Sequence, residues 1–334
     1  MQVLEPYTIK QTSFKNRIVM PPMCMYQAID GFINDFHLVH YTTRAIGNVA
    51  YIIVEATAVS PEGRITDNDL GIWSDDFIPQ MKRLVDMVHH YGAKIGIQLA
   101  HAGRKSQSTV VPHLAPSAIS YSEDYLTPSE LTVDQIKHLV QQFKDGAHRA
   151  DLAGFDAVEV HGAHGYLVNE FMSPLCNHRS DEYGKNRGLF LKEILEAIHT
   201  VWPQNKLCQV RVSAFEYHPE GNSANDVAEL LKPLTHLLDL VHVSSGGVVS
   251  TKIDFFPMYQ VQYAKVIKET LKLPVIAVGL ITSVEEIERV LFEKSADMVA
   301  LGRELLRNPY FTNNLYAHVP IIDKLPESYL RAYK

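Results

Sequence analysis

Residues 275–306 read VIAVGLITSVEEIERVLFEKSADMVALGRELL, and the order of patterns within them decides the fold. Val275–Val278 and Met298–Leu301 are short apolar runs of the kind that form strands buried on both faces. Between them, Ser283 and Glu286 stand at capping-box spacing and open a helical pattern. A glycine follows each run, Gly279 after the first and Gly302 after the second. This is a strand–helix–strand unit of a parallel sheet, with a close backbone turn after each strand.

The same unit extends outward along the chain. Further apolar runs occur at Ile18–Met20, Tyr51–Val54, Ile95–Leu99, Ala157–Val160, Gln209–Val212 and Leu240–Val243. After Asp75, the residues Ile78, Met81, Leu84, Val85 and Val88 share one helical face. After Thr132, with Gln135 at capping-box spacing, Ile136, Leu139, Val140, Phe143, Ala147 and Ala150 do the same. Gly92 and Gly154 stand where those helices would stop. Eight strands alternating with helices predict one α/β domain over residues 1–334, a (β/α)8 TIM barrel. A doubly wound sheet is the alternative, but G-x-G-x-x-G is absent after the first strand. Two connections are long, 105–131 and 168–186, and are expected to cap the C-terminal face as pocket walls.

Composition narrows the function. The 334 residues are 46% hydrophobic and 21% charged with net charge −7, so no basic footprint for nucleic acid or an acidic membrane exists. Cys24, Cys176 and Cys208 lie far apart, which argues against a disulfide scaffold, zinc finger or iron–sulfur cluster. There is no apolar signal core at the N-terminus and no run of about 18 apolar residues to span a bilayer. A soluble, cytoplasmic protein is expected.

In a barrel, chemistry belongs where strands end. Pro21–Tyr26 follows the first strand and Glu55–Ala58 the second, while Gln98 and His101 close the third. His161, His164 and Tyr166 follow the fourth, Arg211 ends the fifth and Ser244-Ser245-Gly246-Gly247 follows the sixth. Phosphate binding is expected at Gly279, Gly302 and Arg303, because loops seven and eight of this fold offer backbone N–H groups and here a fixed cation. His161 and His164 can be read as two donors to one oxygen with Tyr166 as proton donor. They can also be read as a metal site with His101, or as ties within their own loop. Cys24 alone reads as a small buried hydrophobe, and Arg211 as an ion-pair partner or a charge on a cofactor. His89-His90, late on a helix, reads as solvated.

At PPMCMY (21–26), IQLAHAGRK (97–105), HGAHGYLVNEFMSPLCNHRSDEYG (161–184), RVSA (211–214) and LGRELLRNP (301–309), the chain closely resembles the Old Yellow Enzyme family of FMN-dependent oxidoreductases. It is most similar to the thermophilic-like bacterial branch of ene-reductases, and the resemblance runs from Leu4 to about Arg331.

The resemblance implies FMN as cofactor and NADPH, or NADH, as reductant. Pro22, Met23, Cys24, Ala58 and Gln98 would line the flavin ring, and Arg211 would sit by N1 and O2. Gly279, Gly302 and Arg303 would hold the phosphate, in agreement with the barrel argument. His161 and His164 would bind the carbonyl oxygen of an activated alkene, assisted by Tyr26. Hydride would pass from flavin N5 to the β-carbon, and Tyr166 would protonate the α-carbon in a ping-pong cycle. Cys24 would modulate the flavin. Arg331 would enter a neighbouring subunit's site in a homodimer or homotetramer, and no metal is implied.

Three features depart from the family. Pro21 stands where Ser or Ala is usual, Asn48, Ala50 and Tyr51 replace a glycine-rich run, and Lys185–Gly188 shortens a loop. None removes a proposed catalytic side chain.

Overall fold

The computed structural model describes residues 1–317 and 325–333. Its centre is a ring of eight parallel strands. They are β1 (Ile18–Met20), β2 (Tyr51–Ala58), β3 (Lys94–Ala100), β4 (Ala157–Gly162), β5 (Leu207–Ser213), β6 (Leu240–Ser244), β7 (Val275–Ala277) and β8 (Met298–Ala300). Each pairs with the next, and β8 closes on β1 with Val299 opposite Ile18 and Ala300 opposite Val19. Closure excludes the doubly wound alternative, whose open sheet has two edges.

Among the described residues, eight helices form the outer ring: α1 (Asp35–Ile46), α2 (Ile78–His90), α3 (Val133–Ala153), α4 (Leu189–His199), α5 (Ala224–Leu231), α6 (Val261–Leu271), α7 (Val284–Phe292) and α8 (Phe311–Ala317). The capping boxes of Thr132 with Gln135 and of Ser283 with Glu286 both form. Helix α3 stops at Gly154, which takes φ +93°, a conformation that costs glycine little. His89 is not simply solvated. Its Nε2 lies 2.6 Å from Asp156 Oδ2, an oxygen that also accepts from Ile95 N, so the ring ties α2 to the base of β3 and β4.

The barrel interior is layered by the period-two alternation of strands. At the bottom, Tyr51, Ala157, Leu207, Leu240, Ile276 and Met298 pack with Ile9 and Phe14 of an antiparallel hairpin, Tyr7–Ile9 with Thr12–Phe14. Two residues further along the strands the layer turns polar, with Gln98, Glu159, Gln209 and His242 all buried. Two further on stand His161, Arg211 and Ser244, where the strands end.

The two long connections meet over this end. After β3 the chain carries Leu114–Ala115 paired with Ser129–Glu130, and after β4 it forms short helices Leu167–Met172 and Glu182–Lys185. Arg179 links them by donating to the carbonyls of Pro116 and Leu131 at 3.0 and 2.6 Å. No helix among the described residues is long and apolar enough to cross a membrane.

Candidate active site at the C-terminal end of the barrel

The floor is built around one buried carboxylate. Glu159 Oε1 accepts from Gln98 Nε2 at 2.7 Å, and Oε2 accepts from Gln209 Nε2 at 2.5 Å and from His242 Nδ1 at 3.0 Å. Burial works against its charge, but His242, Arg211 and Gln209 hold its pKa below the ordinary carboxylate value. With its NH2 group turned to Glu159, Gln98 presents its carbonyl as the free acceptor. Arg211, almost fully buried, donates to Pro22 O at 3.3 Å, while its Nε–H has no partner among the described residues.

One side of the floor opens into a cavity of about 260 Å³ lined by Arg211, Ser244, Gln260, Gly279, Thr282, Gly302 and Arg303. Gly279 has φ +132°, and a Cβ there would press on Gln260 at 3.0 Å. Gly302 differs, because a Cβ there would meet only Met23 Sδ at 3.5 Å and Pro21 Cγ at 3.7 Å, ordinary contacts. No protein atom therefore requires glycine at 302, and the missing side chain leaves room for a group from outside the chain. Arg303 is exposed and forms no ion pair among the described residues, whereas Arg307 is paired with Glu304.

His161, His164 and Tyr166 come together after β4. The His161 ring centroid lies 5.3 Å from that of His164 and 4.9 Å from that of Tyr166, edge to face in both cases. His161 Nδ1 accepts from Ala163 N at 3.3 Å, which leaves its proton on Nε2. His164 Nε2 lies 2.8 Å from Ser244 Oγ. Burial, with the Arg211 charge behind it, pushes both imidazoles well below their ordinary pKa, so both are neutral at pH 7. Burial also pushes the Tyr166 hydroxyl well above 10, so it keeps its proton.

Cys24 and Tyr166 both pack on Ala56, Ala100 and Ala102. Burial, reinforced by Asp69 and Glu55, pushes the Cys24 thiol up and keeps it protonated. Tyr26 stands at the rim, 44% exposed with φ +54°. Ala58 is buried at the end of β2 opposite Ala100. His101 turns away from a shared metal set: its Nδ1 accepts from Gly103 N at 3.1 Å, and no cluster among the described residues could hold a metal ion. Arg331 is exposed on a C-terminal turn, Glu327–Ala332, anchored by Leu330 and Tyr333 against the core.

Three charged residues of this region, Glu159, Lys105 and Glu170, escaped the sequence reading, and Glu55, read as following the second strand, lies within it. Glu55 sits on a β-bulge between Val54 and Ala56, accepting from Met25 N at 2.8 Å and from Tyr41 OH at 3.0 Å, and so holds the 23–26 loop from below. Lys105 donates to His164 O and Gly247 O at 2.9 and 3.1 Å and lies over the Tyr166 ring at 5.1 Å. Glu170 is fully buried, with Oε1 accepting from Arg104 N at 2.9 Å. The available signal was an acidic residue inside an apolar strand, as in YIIVEATA and AVEV.

The profile of the NADH:flavin oxidoreductase / NADH oxidase family matches residues 2–321. The chain is 51% identical over 338 residues to an NADPH dehydrogenase of Clostridium acetobutylicum, covering all of both. It is 49% identical over 340 residues to an NADPH dehydrogenase of Geobacillus thermodenitrificans, covering 99% of this chain and 98% of that one. Among solved structures, morphinone reductase superposes with a TM-score of 0.82 at 28% identity, over 93% of this chain and 88% of the other.

Proposed function

Because the chain belongs to the NADH:flavin oxidoreductase / NADH oxidase family, as an FMN-dependent oxidoreductase of the Old Yellow Enzyme type, we propose that it uses NADPH to reduce the C=C bond of α,β-unsaturated carbonyl compounds. The observation that carries this reading is the group His161, His164 and Tyr166: two neutral imidazoles and one protonated phenol around the same space.

The residues present fit FMN. Gly302, where a Cβ would only fill a cradle, would receive the phosphate with Gly279 and Arg303. The Gln98 carbonyl and the orphaned N–H of Arg211 are an acceptor and a donor suited to the two sides of an imide edge. Pro22, Met23, Cys24 and Ala58 would wall the ring. Bound there, FMN supplies the hydride chemistry between nicotinamide and alkene.

The chain's own groups do the rest. His161 and His164 donate to the carbonyl oxygen as charge develops on it, each such donor contributing about 3–4 kcal/mol. Tyr26 at the rim assists in holding the substrate. Tyr166 delivers its proton to the α-carbon, which a hydroxyl can do only while its own pKa is high. We further propose a cytoplasmic homodimer or homotetramer in which Arg331 reaches a neighbour's pocket.

An anaerobic titration tests the reading. NADPH should bleach the flavin band of the purified protein, and cyclohexenone should restore it. Bleaching without recovery would leave FMN and NADPH in place and overturn the alkene substrate. A protein without a flavin band would overturn the cofactor assignment.

A further inference from the structure

We propose that Ser244 is a positioning residue for the carbonyl-binding pair: its hydroxyl donates to His164 Nε2 and so keeps the His164 proton on Nδ1. The inference rests on the reading of His161 and His164 as the donors to the substrate oxygen.

A neutral imidazole has one N–H and one lone pair, and a carbonyl oxygen is held only by the N–H. His164 Nε2 is occupied by Ser244 Oγ at 2.8 Å. Nδ1 has no partner among the described residues and is not among the polar atoms sealed from solvent, so it is the nitrogen that remains open. If Nε2 carried the proton, Nδ1 would offer the substrate a lone pair and repel it. The direction of one serine hydroxyl therefore decides whether His164 attracts or repels a carbonyl.

The neighbours of Ser244 set that direction. Gln260 Nε2 approaches Ser244 Oγ as a donor at 3.4 Å while donating to Ser245 Oγ at 2.9 Å. It brings Ser244 a hydrogen and offers it no acceptor. Among the described residues, the acceptor left for the Ser244 proton is His164 Nε2.

The backbone that carries the ring is fixed. His164 N donates to Ser213 Oγ at 2.8 Å, His164 O accepts from Lys105 Nζ at 2.9 Å, and the backbone is held at φ +61°. His161 reaches the complementary state by a different route, since the Ala163 N–H at 3.3 Å occupies its Nδ1 and leaves the proton on Nε2. A backbone amide orients one imidazole and a serine hydroxyl the other.

The test is a long-range 1H–15N spectrum of the FMN-loaded enzyme labelled at histidine nitrogen, with His164 identified by the signal lost in His164→Gln. The wild type should show a protonated Nδ1 and an unprotonated Nε2 at His164. Ser244→Ala should mix the two tautomers and lower kcat/KM for cyclohexenone roughly tenfold, below the full loss of one donor. Ser244→Thr, which keeps the hydroxyl, should restore both readings. A wild-type His164 protonated on Nε2 would overturn the proposal, and so would a Ser244→Ala spectrum identical to wild type. The spectrum needs no turnover, so an enzyme inactive on enones would sink the alkene reading and leave the tautomer question decided by the wild-type signal.

Discussion

Tyr166 is where proposed function and local physics bear on the same atom. Its hydroxyl is held protonated by burial, and its ring is fixed between His161 and the Lys105 ammonium. Replacing it with Phe removes one oxygen and leaves the ring contacts. Tyr166→Phe should therefore keep flavin reduction by NADPH intact and slow enone reduction by two or more orders of magnitude, the usual weight of a positioned acid. Separate stopped-flow traces of the two half-reactions check this, and an unchanged enone phase would remove Tyr166 as the donor. Cys24 gives a second residue-scale expectation. A thiol pushed up by burial is a poor nucleophile. Iodoacetamide at pH 7.5 should leave Cys24 largely unmodified in the native enzyme, read by peptide mass spectrometry against the unfolded chain.

At the scale of elements, the turn after β3 and the helix Leu167–Met172 depend on one another. Gly103 takes φ +62°, and a Cβ there would collide with the Glu170 carboxylate. Gly103→Ala should cost about 2–5 kcal/mol, the sum of left-handed backbone strain and overpacking. A urea unfolding midpoint equal to wild type would show that the turn can rearrange. Such couplings mark the border of what the sequence makes legible. The strands of β7 and β8, both capping boxes and the glycines at 154, 279 and 302 are local signals, each readable within a few residues. The pairs that shape the floor and its support are not local: Gln98 meets Glu159 across 61 positions, and His164 meets Ser244 across 80. Which inward residues face one another is set by barrel register, and a one-dimensional pattern does not carry register. The bulge at Glu55 adds one residue to β2, turning that carboxylate toward Tyr41 on α1 and passing the inward position to Ala56.

For the whole molecule, two properties follow from how exposed and buried charge are distributed. Arg331 is exposed while Leu330 and Tyr333 beside it are packed against the core, so its guanidinium is presented outward from an anchored turn. If it completes a neighbour's pocket, Arg331→Ala should raise KM for the enone several-fold, and dilution should lower specific activity. Activity independent of both would remove the shared site. Buried titratable groups then set how stability varies with pH. His37, His40 and His101 are lowered by burial to about 4, 3 and 4, and His161 and His164 lie well below 6.5. Below pH 6.5 the unfolded chain takes up protons at these rings that the folded protein refuses, so their contribution is complete above pH 6.5 and is lost as pH falls toward 4. Glu55, Asp69 and Glu170 act oppositely, raised by burial to about 7, 6 and 8. Between their unfolded and folded values the native state holds protons that the unfolded chain releases, so stability declines as pH rises, until each has ionised. Lys15 and Lys105, lowered by burial to about 8, enter only above that value, where they favour the folded state as pH rises further. The lowered rings, with His242 as a sixth, outweigh the raised carboxyls, with Glu216 as a fourth, on the acid side, and the carboxyls act alone between 6.5 and 8. Melting temperature should therefore peak near pH 6.5. Glu170→Gln should flatten the alkaline limb up to pH 8 and leave the acid limb in place, because the amide keeps the volume and has no proton to lose. A Glu170→Gln melting profile parallel to wild type from pH 6.5 to 8 would show that Glu170 is already ionised there, its charge stabilised by Arg104 and Lys105.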